Sequence, residues 1–206
     1  MTTSYDAVVP AGGAARRLGG TDKPALALGG RTLLDRVLAV CADADRTVVV
    51  GPRRPTARPV RWTREEPAGG GPLPALAAGL AALGGPDRPP VVLVLAADLP
   101  FLTADTVAAL TGGLSGEWEG VLLTDASGRD QPLAAAYRAE PLRREAALLR
   151  AEYGTLSGLP LRLLTAGLRL RRIPDPTGRA SFDCDTWEDV AVARARLDRQ
   201  GGPPGA

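Results

Sequence analysis

The sequence predicts a doubly wound α/β protein with a mostly parallel sheet and an antiparallel hairpin, on three observations. Apolar residues run consecutively at 7–9, 48–50 and 91–97, the pattern of strands buried on both faces. Stretches with helical spacing separate these runs, so crossover connections return successive strands parallel to one another. A glycine-rich basic stretch, Ala11-Gly12-Gly13-Ala14-Ala15-Arg16-Arg17-Leu18-Gly19-Gly20-Thr21-Asp22-Lys23, follows the first strand. Sheets of this kind take ligands beyond the carboxyl ends of their strands.

Taken in order, residues 5–10 read as the first strand. Residues 32–42 place Leu33, Leu34, Val37, Leu38 and Cys41 on one helical stripe. A strand at 47–50 follows, then an Arg/Pro-rich loop at 52–59 and a short strand at 60–64 ending at Glu65 and Glu66. Gly69 to Pro72 open an Ala/Leu-rich helix that Gly84 and Gly85 terminate. The strand at 91–97 stops at Asp98-Leu99-Pro100, and Thr103 is placed to cap the next helix. Strands at 120–124 and 132–137, joined across Ser127-Gly128, make a hairpin. Helices at 140–153 and within 154–168 come next, followed by an edge strand at 168–173 that alternates apolar residues with arginine. Thr186 and Asp189 mark the start of a last helix in capping-box fashion. One domain is expected over 1–199, with a disordered Gly/Pro tail over 200–206.

Composition limits the chemistry. With 45% hydrophobic and 23% charged residues the chain has the make-up of a soluble globular protein with a packed core. A formal net charge of +2 gives no reason to expect nucleic acid or an anionic membrane as partner. No apolar run reaches the length of a membrane span and no secretory leader pattern is present, so a cytoplasmic protein is expected. Cys41 and Cys184 lack zinc-site spacing, and the chain contains no histidine. Histidine-assisted nucleophilic catalysis is therefore excluded, leaving carboxylates, Lys, Arg and backbone amides to do the chemistry.

The glycine-rich stretch matches neither common phosphate motif. Ala14 and Ala15 stand where Gly-x-Gly-x-x-Gly needs glycine, and Gly19 precedes Gly20-Thr21 rather than Lys-Ser/Thr. Its two glycine pairs flank a basic pair, which suits a loop wrapped around a triphosphate, with Arg16, Arg17 and Lys23 as its cations. Asp98, at the end of an apolar strand, suits a hard divalent cation such as Mg²⁺ shared with phosphate oxygens. The competing reading, a helix cap, is weaker because Thr103 is the better cap. Asp183 and Asp185 flank Cys184 and read equally well as a metal or hydroxyl site or as strand-end solvation. The arginines at 53, 54, 58, 61 and 64 read first as a solvated face and second as a phosphate site.

The opening loop, Gly71-Pro72 before a helix, Asp98-Leu-Pro-Phe-Leu, Asp130-Gln-Pro-Leu with Tyr137-Arg138, and Phe182-Asp-Cys-Asp-Thr-x-Glu-Asp together resemble the molybdenum cofactor guanylyltransferase family, in its order and over nearly the whole chain. That resemblance implies a Rossmann-like three-layer nucleotidyltransferase fold. It also implies transfer of GMP from Mg-GTP to the terminal phosphate of molybdopterin cofactor, with release of pyrophosphate. Transient contact with molybdopterin-delivering or molybdoenzyme-chaperone proteins is a further implied partnership.

Carried onto this chain, the resemblance gives Arg17, Lys23 and Asp98 as catalytic residues and Asp98 as the metal ligand. Nucleotide contacts fall on Pro10, Ala11, Gly12, Gly13, Lys23, Gly51, Glu66 (or its neighbour Glu65) and Asp98; acceptor contacts fall on Gln131, Asp183 and Asp185. Pro10 departs from the usual leucine and Gly51 from an asparagine, so an N–H and a side chain are lost there. Glu66 stands for an aspartate, and Asp183 and Asp185 for asparagines. A cytidylyltransferase for the same pterin, a nucleotidyltransferase with another phosphorylated acceptor, and a catalytically silent delivery module are the alternatives.

Overall fold

A computed structural model describes residues 4–13, 18–85 and 88–201. In chain order it comprises β1 (Tyr5–Pro10), a 3-10 turn (Lys23–Ala25), β2 (Ala27–Leu28), β3 (Arg31–Thr32), α1 (Leu33–Val40), β4 (Thr47–Val50), β5 (Arg61–Thr63) and α2 (Pro72–Leu83). The second half adds β6 (Val91–Leu95), α3 (Ala104–Gly112), β7 (Gly120–Thr124), β8 (Asp130–Arg138), α4 (Ala139–Tyr153), α5 (Arg162–Ala166), β9 (Leu170–Pro174) and α6 (Trp187–Gly201). Seven strands form one sheet in the order β5-β4-β1-β6-β8-β7-β9. Only β8 runs antiparallel to its neighbours, β6 and β7.

Alternation along the strands divides the core into two faces. Ala7, Val9, Val49, Leu93 and Leu95 pack with Leu34, Val37 and Leu38 of α1 and with Val107 and Leu110 of α3. Val8, Val48, Val50, Val92 and Val94 pack on the other side with α2, α4 and α5. The result is the expected three-layer α/β fold. Helix α2 lies so close to β1 that a Cβ on Gly79 would stand 2.4 Å from Val8 Cγ1. A third cluster joins Leu18, Leu28, Leu33 and Phe101 to Cys184, Val190 and Ala193, seating α6 beside the β2–β3 ribbon.

The expected caps are present. Thr103 accepts from the amide of Thr106, and Thr32, not among the expected caps, accepts from that of Asp35. Thr186 and Asp189 exchange reciprocal hydrogen bonds at the start of α6. Two features differ from the sequence expectation. The β2–β3 ribbon has two residues per strand, too few to carry a period. Helix α6 runs through Gly201, and the rest of the tail expected over 200–206 lies outside the described residues. Among the described residues no helix is long and apolar enough to cross a membrane.

Candidate active site

Strand order reverses between β1 and β6: β4 lies on one side of β1 and β6 on the other. A cleft of about 360 Å³ opens at this switch point, bordered by Pro10 at the end of β1, by Ala11 to Gly13 after it, and by Ala96, Ala97 and Asp98 after β6. Backbone hydrogen bonds fix its walls. Ala97 N–H donates to Pro10 O at 3.1 Å, Ala11 N–H to Val50 O at 2.8 Å, and Ala96 N–H to Leu133 O at 2.8 Å. Pro10 thus contributes through its carbonyl, and its missing N–H is not needed for these bonds.

Lys23, Asp98 and Asp185 meet at the cleft. Lys23 Nζ lies 2.5 Å from Asp98 Oδ2 and 2.6 Å from Asp185 Oδ1. Burial alone would lower the lysine pKa, but the charge of Asp98 and the hydrogen bonds Lys23 donates to both carboxylates outweigh it, and the net shift is upward. The backbone beneath Lys23 is pinned from outside the site. Asp22, directly before it, receives a bidentate guanidinium from Arg54, with the shortest contact at 2.6 Å.

Asp185 reaches the cleft because Cys184 points the opposite way, fully buried, with its amide donating to Asp98 O at 3.3 Å. Asp183 lies exposed, outside the cleft lining. Partial desolvation, then the charges of Asp185 and Asp98, raise its pKa. A cation–aromatic cluster ties the same two loops from behind. The Phe101 and Phe182 rings are 5.6 Å apart, with the Arg196 guanidinium 4.9 Å from the Phe182 centroid and 5.8 Å from that of Phe101.

Glu65 lines the cleft from the β5 side and is 6% exposed. Its Oε1 accepts from Gly69 N–H at 3.0 Å, whereas its Oε2 is a buried oxygen without a hydrogen-bond partner among the described residues. Gly12 makes room for it: a Cβ there would stand 3.4 Å from Glu65 Oε1.

Several candidate residues lie elsewhere. Glu66 faces a separate depression with Arg64 and Arg150, so Glu65 takes the acidic position in the cleft. Gly51 does not line it; with φ at 144°, it packs where a Cβ would come within 3.0 Å of the Ala11–Gly12 backbone, a constraint only glycine meets. Gln131 donates to Asp125 Oδ2 at 3.0 Å within the β7–β8 hairpin, and Leu133 borders the cleft instead. Arg16 and Arg17 lie outside the described residues. Of the arginine group, Arg54 holds Asp22 and Arg58 donates to Leu38 O and Cys41 O at the end of α1, so those two serve the fold. Nothing local in the sequence distinguishes Glu65 from Glu66, because both leave a three-residue strand whose alternation ends before them.

The MobA-like NTP transferase domain model matches residues 7–162. The chain belongs to this family. It is 32% identical to a molybdenum cofactor guanylyltransferase from Bradyrhizobium sp., over 94% of this chain and 95% of that one. A probable molybdenum cofactor guanylyltransferase from Chloroflexus aggregans is also 32% identical, over 92% and 93%. Among solved structures, molybdopterin-guanine dinucleotide biosynthesis protein A from Archaeoglobus fulgidus superposes with a TM-score of 0.73 at 19% identity, covering 94% of this chain and 99% of that one. The 2-C-methyl-D-erythritol 4-phosphate cytidylyltransferase of Thermus thermophilus gives 0.71 at 20%, covering 95% and 99%. At these identities the two structures establish the shared fold.

Proposed function

We propose that this chain is a molybdenum cofactor guanylyltransferase that acts in the cytoplasm on GTP and molybdopterin cofactor. An oxygen of the acceptor's terminal phosphate attacks the α-phosphorus of GTP, the bond to the β-phosphate breaks, and pyrophosphate leaves. The acceptor oxygen is already anionic, so a site without histidine needs to supply only position and charge. Gly12 and Gly13 let the backbone approach the nucleotide, and Lys23 neutralises the β- and γ-phosphates as negative charge builds on the leaving group. Mg²⁺ suits the donor set, because Asp98 and Asp185 present hard carboxylate oxygens around a position where the Lys23 ammonium stands in for a cation. When bound there, it would offset phosphate charge beside the reacting centre.

The observation that carries the guanine reading is the buried Oε2 of Glu65, which has no hydrogen-bond partner among the described residues. Guanine offers two adjacent donors, N1–H and the 2-amino group, whereas adenine and cytosine offer one amino group beside an acceptor nitrogen. Glu65 follows β5 and Asp98 follows β6, three strand spacings apart in the sheet order. That separation, roughly 14 Å at ordinary strand spacing, suits a nucleotide laid from its base at Glu65 to its phosphates at Lys23.

Pyrophosphate release with each of the four nucleoside triphosphates, with and without molybdopterin cofactor, tests both halves. GTP-dependent, pterin-dependent release is expected; a CTP preference, or indifference to the pterin, would refute the assignment. Glu65→Gln is expected to cut the GTP-over-CTP preference by roughly 10- to 100-fold, the worth of a hydrogen bond to a charged group. An unchanged preference would remove Glu65 from base recognition.

A further inference from the structure

The ammonium of Lys23 occupies the point between two carboxylates where a divalent cation would be expected. Its 2.5 Å and 2.6 Å contacts engage one oxygen each of Asp98 and Asp185, and all three side chains border the cleft. A metal ion seeking those oxygens has to displace the lysine, since an ammonium and a divalent ion a few ångströms apart repel strongly in a partly desolvated site. The lysine is also built to move. Its backbone is held by the Asp22–Arg54 pair and the 3-10 turn, while four flexible methylenes separate it from the charge.

We infer that Lys23 is the resident counter-ion of the metal site: without nucleotide it fills the cation position between Asp98 and Asp185, and an arriving triphosphate draws it away. Divalent metal then enters with the nucleotide or after it, and the free protein binds metal weakly. This deepens the nucleotidyl-transfer reading and rests on it, but its first test needs no nucleotide. Removing the ammonium takes away the cation that Asp98 and Asp185 share, so the two carboxylates gain more from a divalent ion than in the native arrangement.

Mn²⁺ titrations followed by electron paramagnetic resonance provide the test. Without nucleotide, Lys23→Met is expected to bind Mn²⁺ roughly tenfold more tightly than the unmodified protein or better, with Asp185→Asn added to Lys23→Met abolishing the gain. Equal Mn²⁺ affinity in the unmodified protein and Lys23→Met would overturn the inference. Lys23→Gln, with the same expected direction, serves if Lys23→Met does not fold, as judged by near-ultraviolet circular dichroism. Adding a non-hydrolysable GTP analogue to the unmodified protein is expected to raise its Mn²⁺ affinity. A gain from Lys23→Met with no response to any nucleotide analogue would uphold the counter-ion and refute the nucleotidyl-transfer reading instead.

Discussion

Asp98→Asn is expected to lower pyrophosphate release by about 10³-fold while leaving the protein folded. The substitution keeps the shape of the side chain and removes its charge. It also keeps the backbone carbonyl that receives the Cys184 amide, so the coupling of the two loops survives. Asp98 is buried more deeply than Asp185, with side-chain exposures of 23% and 46%, and it lies directly beyond the strand at the switch point. Asp185→Asn should therefore cost less, about 10- to 50-fold, because a more exposed carboxylate is better replaced by water. Steady-state kinetics with melting curves on both variants checks the order. Near-normal turnover in Asp98→Asn, or a larger loss in Asp185→Asn, would contradict the assignment of Asp98 as the principal metal ligand.

The strands that frame this site were legible because burial on both faces leaves a continuous apolar signature, as in Thr47–Val50 and Val91–Leu95. Helix starts were legible because threonine caps are local, at Thr103 and Thr186. Pairings across the chain were not. Lys23 and Asp185 are 162 residues apart, and their contact depends on Cys184 turning into the core so that its neighbour turns out. The arginine group at 53–64 has a local composition suggesting a solvated face or a phosphate site, yet Arg54 and Arg58 find partners in other elements. Glu65 and Glu66 show the limit most sharply: adjacent and chemically identical, they are separated only by where the chain turns after β5, with one in the cleft and the other in a different depression.

Asp6 is the strongest case of a residue whose role lies in a distant partner, and it gives the largest expected effect on stability. It sits in β1 opposite Val92 of β6 and is 1% exposed. Arg88 Nε donates to its Oδ2 at 3.0 Å and Arg88 Nη2 to its Oδ1, so both carboxylate oxygens are satisfied. Arg88→Ala strands a buried charge and is expected to cost about 3 kcal/mol, toward the lower end for broken buried pairs because the arginine is partly open to water. Urea unfolding should show a lower midpoint at unchanged slope. Replacing both partners, Asp6→Leu with Arg88→Met, should recover most of the loss, since an apolar pair requires no charge to be desolvated. Asp6 stands near the start of β1, whereas the cleft opens beyond Pro10 at its end, so turnover per folded molecule should not change. A cost below about 1 kcal/mol for Arg88→Ala would mean that the pair contributes no more than an exposed salt bridge.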